Sequence, residues 1–256
     1  MTNALFLEGM TYAEGNFLDD NAPHLKVDKK LIKELFDLNG KTILDFGCGM
    51  GGMSLWYASN WDCKVHGLDI DQHHVNVANK LKEKYQQSNV QFECRDVLKN
   101  PIQETYDFIF MNDVAEHIPL SVLEAIYKQF AKILKPDGIL FVTYPPWKSP
   151  YASHVNHVIK LPWVQFLPQA IVKAWIKKKN HPIVGDLESD LVEAYDGLNH
   201  LTHTKLMKVA TNAGLELKYR RSHSFFNKWG ISKNLQLRFP PFDFLITKEF
   251  AQFQRK

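Results

Sequence analysis

Five short apolar runs, KTILDF from Lys41, CKVHGLD from Cys63, NVQFEC from Asn89, YDFIFMN from Tyr106 and GILFVTY from Gly138, are separated by segments of helical length and pattern. Such alternation is the signature of parallel strands joined by crossover helices, because a parallel pair cannot be closed by a tight turn. Helices are expected over residues 53–60, 72–87 and 120–134, the last closed by KPDG, where Pro136 and Gly138 stop the helix. The pattern constrains the chain to an open, doubly wound α/β sheet. At 256 residues it is long enough for one large domain with a sizeable core.

Either side of this core the pattern changes. Leu31, Ile32, Leu35 and Phe36 fall at helical spacing ahead of Asn39-Gly40, which predicts an amphipathic covering helix. Residues 144–200, rich in Pro, Trp and Lys, interrupt the alternation; long insertions in compact domains tend to be lids. Regular structure resumes with a helix over 204–212, the strand LELKYRR and a last apolar run, FDFLITKEFAQF, so the sheet is expected to end in an antiparallel pair. One domain over 1–256 follows, with a helical cover at 1–40, a cofactor-binding core at 41–143, a substrate lid at 144–200 and completion of the sheet at 201–256.

Composition narrows the function. Hydrophobic residues make up 45% and charged residues 23%, ordinary values for a soluble globular chain, and no segment is long and apolar enough to span a bilayer. The first residues lack the basic and apolar regions of a secretory signal, so a cytoplasmic location is expected. Cys48, Cys63 and Cys94 are too few and too scattered for a disulfide framework. A net charge of +3 is too mild to mark a nucleic-acid binder.

The first strand runs into ILDFGCGMGG, residues 43–52, which satisfies two patterns at once. Gly47, Gly49 and Gly52 fit G-x-G-x-x-G, a dinucleotide loop; Asp45 with Gly47, Gly49 and Gly51 fits D-x-G-x-G-x-G. A pyrophosphate wants backbone N–H groups, a helix N-terminus and no carboxylate nearby, whereas S-adenosylmethionine carries a sulfonium and an ammonium that a carboxylate attracts. The loop lacks the Lys of a phosphate-binding P-loop. On these residues the sequence resembles the class I S-adenosylmethionine-dependent methyltransferases over roughly residues 41–144, and more loosely beyond.

The resemblance implies a doubly wound, mostly parallel seven-stranded sheet, a Rossmann-like methyltransferase fold, here with an N-terminal helical cover and a lid insertion after the fifth strand. It implies S-adenosyl-L-methionine as cofactor, held at Asp45, Gly47, Cys48, Gly49 and Gly51. Asp69 would accept the ribose hydroxyls and Ile70 pack against adenine; Asp96 and the Val97 backbone would meet the adenine amino group, and Asn112 would lie near the methionyl end. Asp71 reads instead as a helix cap.

Methyl transfer needs alignment and, for a hydroxyl acceptor, removal of a proton. Histidine suits that task near neutral pH. Among eleven histidines, His157 and His154 in the insertion and His117 after the fourth strand are the catalytic candidates, with His200 and His203 behind them. Asp113, Glu116 and His117 form D-x-x-E-H, close to the E-x-x-E-H that binds a divalent cation in ubiquinone-pathway and small-RNA O-methyltransferases. Asp replaces Glu at the first position, and no metal is assigned.

The expected activity is O-methylation of a small or lipid-like biosynthetic intermediate, with an NAD-dependent oxidoreductase, an RNA 2′-O-methyltransferase or a non-catalytic cofactor-binding module as alternatives. No nucleic-acid partner is expected. Trp163, Phe166, Ile171 and Trp175 with the lysines of 161–179 point to a greasy acceptor and to peripheral membrane contact.

Overall fold

A computed structural model describes residues 3–156, 158–179, 191–228 and 236–256. Its elements are α1 (Asn3–Leu18), α2 (Lys26–Leu35), β1 (Thr42–Phe46), α3 (Gly52–Asn60), β2 (Lys64–Asp69), α4 (Gln72–Lys84), β3 (Val90–Cys94), β4 (Tyr106–Asn112), α5 (Leu120–Ile133), β5 (Leu134–Tyr144), α6 (Gln169–Lys179), α7 (Leu191–Asp196), α8 (His203–Asn212), β6 (Leu215–Ser224) and β7 (Ile246–Arg255). The seven strands form one mixed sheet in the order β3-β2-β1-β4-β5-β7-β6. β1 pairs in parallel with β2 and β4, β2 with β3, and β6 runs antiparallel to β7. The final antiparallel pair matches the expectation from the last two apolar runs.

Two compact units divide the chain, residues 1–111 with 132–140, and residues 112–131 with 141–256. In the first, Ile43, Leu44, Leu68, Ile109 and Phe110 are buried on the strands, as near-continuous apolar runs of a parallel sheet should be. Trp56 and Tyr57 of α3 are fully buried, and Tyr57 stacks on Phe110 with ring centroids 4.7 Å apart. Asp71 caps α4 as expected, accepting the His73 N–H at 2.7 Å, and Lys82 and Lys84 in the last turn suit the helix dipole. The covering helix ends at Leu35, short of Asn39-Gly40, and buries Leu31 and Ile32.

The helical cover expected over residues 1–40 also contains α1, a helix that apolar spacing does not single out. This helix lies so close to α3 that a Cβ on Gly52 would stand 2.8 Å from the Ala13 carbonyl oxygen. Its end is fastened by Lys29, 1% exposed, whose ammonium donates to the carbonyls of Asn16 and Asp19 at 2.6 and 2.9 Å. Those carbonyls are acceptors that a helix end leaves without intrahelical partners. KPDG follows the end of α5 at Ile133, and although β5 spans Leu134–Tyr144, a Cβ on Gly138 would stand 3.0 Å from the Lys135 nitrogen and carbonyl oxygen, so the chain folds back on itself there as expected.

In the second unit Phe141, Val142, Phe250 and Phe253 are buried on the strands, and Leu206 and Ala210 are buried on α8. The insertion builds its own apolar cluster, in which Val155, Val158, Val164, Val172, Ile176, Tyr195 and Leu198 pack together. Ile171 and Trp175 share a helix face, as their spacing predicts, but α6 turns Val172 and Ile176 inward and leaves Ile171 44% and Trp175 38% exposed.

Candidate cofactor loop and carboxylate–imidazole cluster

The glycine loop follows β1. Gly47, Gly49 and Gly51 all have positive φ, at 70°, 52° and 81°, while Gly52 is the first residue of α3. The left-handed positions therefore include all three glycines of D-x-G-x-G-x-G. Gly51 is doubly constrained: besides its φ, an added Cβ would stand 2.6 Å from Phe92 and 2.8 Å from Ala78. Gly49 is the opposite case, with nothing within 4 Å of an added Cβ, so its backbone borders open space.

The loop's amides are engaged internally. Gly47 and Cys48 N–H donate to the Leu68 carbonyl at 2.8 and 2.9 Å, Gly51 N–H to the Cys48 carbonyl at 3.0 Å, and Gly49 N–H to Asp69 Oδ2 at 2.8 Å. Asp69 Oδ1 accepts the Asp71 N–H at 2.9 Å, and His74 Nδ1 stands 3.5 Å from the same oxygen. Burial pushes the Asp69 carboxyl up, but the bonds from His74, Asp71 and Gly49 outweigh it and hold the group below the usual carboxylate range. An ionised carboxylate with remaining lone pairs can accept hydroxyls.

Asp45 is placed differently from Asp69. It is 2% exposed and accepts the Ser54 hydroxyl at 2.5 Å, so its carboxyl lies beneath the loop. Burial pushes it up to about 7, against the Ser54 bond, with the charge of Asp69 adding to the rise. Ile70 is 74% exposed. Asp96 accepts the Leu98 N–H at 3.0 Å and pairs with Lys99 at 3.0 Å, which is the geometry of a turn cap, and Val97 is buried. Cys48 is buried, and Asn112 ends β4 half-buried.

A second polar group stands in the other unit. After β4 the chain turns at Asp113, which has a φ of 53° and pairs with Lys248 of β7 at 2.6 Å. A single helical turn, Ala115–His117, then presents Glu116 and His117. Asn199 clamps this turn, its Nδ2 donating to the carbonyls of Ala115 and Ile118 at 2.7 and 2.6 Å and its N–H to that of Glu116 at 2.9 Å. His154 Nε2 reaches to 3.6 Å from Glu116 Oε1, and His117 Nε2 to 4.0 Å; the two imidazoles meet edge to face with centroids 4.7 Å apart. Glu116 is 3% exposed, and burial together with the Asp113 charge pushes its carboxyl well above the usual range. His154 has a φ of 56°, a left-handed conformation that costs a non-glycine residue about 1 kcal/mol or more.

The structure thus brings His117 and His154 together with Glu116 and pairs Asp113 with Lys248. His157 lies outside the described residues. His203 stands 3.7 Å from Glu249, a buried carboxylate already held by Arg220 at 2.8 and 2.6 Å, and His200 stacks on Trp147 at 3.8 Å. Asn199 and Lys248 were not foreseeable as parts of the cluster, since each joins it across more than 80 residues of chain.

Residues 43–138 match the family described as a methyltransferase domain. Phosphoethanolamine N-methyltransferase 2 of Caenorhabditis elegans is 30% identical over 116 residues, 44% of this chain and 26% of the relative. The ubiquinone biosynthesis O-methyltransferase of Coxiella burnetii is 32% identical over 113 residues, 44% of this chain and 47% of the relative. The chain therefore spans less than half the length of these relatives. Among solved structures, geranyl diphosphate C-methyltransferase of Streptomyces coelicolor A3(2), crystallised with S-adenosyl-L-homocysteine, aligns with a TM-score of 0.60 at 12% identity, covering 90% of this chain and 76% of that one. At that identity the likeness is one of fold.

Proposed function

We take as premise that the chain belongs to the class I S-adenosylmethionine-dependent methyltransferases, and we propose that it transfers the methyl group of that cofactor to a hydroxyl of a small or lipid-like biosynthetic intermediate. The observation that carries the cofactor assignment is closure of the glycine loop on Leu68 and Asp69. A dinucleotide pyrophosphate needs those amides for itself, whereas a sulfonium nucleoside is met by a carboxylate. We assign Asp69 to the ribose hydroxyls, the open backbone at Gly49 to close approach of the methionyl portion, and exposed Ile70 to the adenine face. Gly47, Cys48 and Gly51 shape the bend, Val97 and Asp96 border the adenine edge, and Asn112 stands toward the methionyl end. Asp45 acts from beneath, through Ser54.

When bound, the cofactor supplies an electrophilic methyl group on a positively charged sulfur. The chain's own residues must align the acceptor oxygen and dispose of its proton: an O–C bond forms as the C–S bond breaks, and S-adenosylhomocysteine leaves. We assign Glu116, His117 and His154 to the acceptor hydroxyl. A grouped carboxylate and two imidazoles support an oxygen acceptor; related enzymes include N-, O- and C-methyltransferases. Exposed Phe166, Ile171 and Trp175 support a lipid-like acceptor and contact with a membrane surface. No described helix is long and apolar enough to cross a membrane.

Calorimetric titration with S-adenosylmethionine and with NADH tests the cofactor. Binding of the first alone is expected; binding of NADH alone overturns the proposal. Release of S-adenosylhomocysteine with hydroxylated rather than aminated acceptors tests the acceptor class, and failure with every acceptor points to a non-catalytic module.

A further inference from the structure

Around Glu249 of β7 the second unit gathers more positive than negative charge. Glu249 is 2% exposed and accepts two bonds from the Arg220 guanidinium at 2.8 and 2.6 Å, with the Ser222 hydroxyl at 3.3 Å and the Tyr144 hydroxyl at 3.5 Å. A second guanidinium closes on the same group. Arg238 Nε donates to Ser222 Oγ at 2.9 Å, and its Nη2 donates to the Arg220 carbonyl at 2.9 Å and to Gln236 Oε1 at 2.6 Å. Gln236 is fastened in turn to Ser222 by bonds of 2.7 and 3.0 Å, so residues 236–238 are held along β6, the edge strand of the sheet. His203, the first residue of α8, brings Nδ1 to 3.7 Å from Glu249 Oε2.

One carboxylate thus faces two guanidinium groups, and Arg220 already occupies it. Asp113 and Asp243 of the same unit are taken as well, by Lys248 and Lys148, each at 2.6 Å. Among the described residues Arg238 has no carboxylate in ion-pair contact, and its Nη1 makes no hydrogen bond. His203 Nδ1 is shielded from solvent and likewise has no hydrogen-bond partner among them. Burial first and the Arg220 charge next push the Arg238 guanidinium and the His203 imidazole below their usual ranges, the sign expected where positive charge is in excess. A half-buried cation without a counter-ion is costly, and an oxyanion seated on it removes that cost.

We infer that Arg238 and His203 form a binding site for a single carboxylate group carried by the methyl acceptor. The inference rests on the proposed function only in taking that anion to be part of the acceptor. With His203 neutral the excess at the site is one positive charge, which a carboxylate matches; a phosphate dianion would need His203 protonated, against the burial that disfavours it. A guanidinium fork meets the two oxygens of a carboxylate in one plane. Asn199, which clamps the Glu116 turn, and His203 are four residues apart, so their Cα atoms are separated by at most about 14 Å. A hydroxyl beside Glu116 and a carboxylate beside His203 can therefore belong to one small molecule, a hydroxy acid.

The probe is ω-hydroxydecanoate, compared with the uncharged diol of the same chain length. Binding of each to the full chain is measured by calorimetry at low salt, and the His203 ring signals, assigned by their loss in His203→Gln, are followed by NMR. The parent is expected to bind the hydroxy acid at least about tenfold more tightly than the diol, with a shift of the His203 signals. Arg238→Gln should abolish that preference, and Arg238→Lys, which keeps the charge without the fork, should retain part of it. Arg238 is partly exposed outside the strands and Glu249 keeps Arg220, so these variants are expected to fold. Equal affinity for the two probes in the parent, binding of neither, or an undiminished preference in Arg238→Gln overturns the inference. S-adenosylmethionine affinity is expected to be unchanged in both Arg238 variants. Methyl transfer to amines alone, with the carboxylate preference intact, would overturn the proposed function and leave this site standing, so the two failures give different results.

Discussion

The glycine loop and the Glu116 cluster handle polar groups in opposite ways. In the loop the named amides and both oxygens of Asp69 are partnered within a stretch of about thirty residues, so the site is complete as folded. In the cluster a buried carboxylate has imidazoles beside it but no donor on either oxygen, and its parts come from residues 116, 117, 154 and 199. The contrast teaches that one site is shaped by local chain conformation and the other by tertiary assembly. Local changes should therefore damage the first, while the second should respond to residues remote in sequence.

The largest effect is expected from Gly51→Val. A side chain there meets both a φ of 81° and the Phe92 and Ala78 contacts, and a loss of about 3–5 kcal/mol of stability should appear in denaturant unfolding. If the variant is as stable as the parent, the loop is more plastic than its internal bonding implies. Next, Asp69→Ala removes the acceptor for the Gly49 and Asp71 amides, and S-adenosylmethionine affinity should fall about 100-fold, near 3 kcal/mol, by calorimetry.

Asp45→Asn sharpens the comparison through pH. The carboxyl is raised from 3.8 unfolded to about 7 folded, so between those values the folded chain holds a proton that the unfolded chain has released. Stability contributed by this group is thus full below pH about 4, declines as pH rises, and is lost above pH 7; the shift corresponds at most to about 4 kcal/mol. The asparagine variant should match the parent near pH 4 and exceed it by about 2 kcal/mol at pH 8 in chemical denaturation. A constant difference across that range would mean that Asp45 titrates normally.

Asn199→Ala is expected to have a smaller effect, confined to the cluster. Loss of the two amide bonds to Ala115 and Ile118 should lower the rate of methyl transfer about tenfold in a single-turnover assay without moving S-adenosylmethionine affinity. The smallest effect belongs to Asp96→Ala. With its carboxylate already occupied by Leu98 and Lys99, cofactor affinity should change by less than about threefold, whereas a loss as large as at Asp69 would make it a direct contact after all.

Much of the fold was legible because its signals are short-range. Alternating apolar runs, caps such as Asp71 and glycine at positive φ each act within a few residues, and the strand ends place Asp45 and Asp69 where their order in the chain predicts. The helix α1 was not legible, because its apolar residues do not concentrate on a single face that spacing could reveal. By itself the sequence determined the parallel α/β core and the type of glycine bend, since steric limits on φ and hydrophobic periodicity are properties of neighbouring residues. Only the tertiary structure decided that Asp45 lies beneath the bend, that Lys248 takes Asp113, and that His154 joins Glu116. Those outcomes depend on which side chains meet across long separations, where burial rather than local geometry chooses the partner.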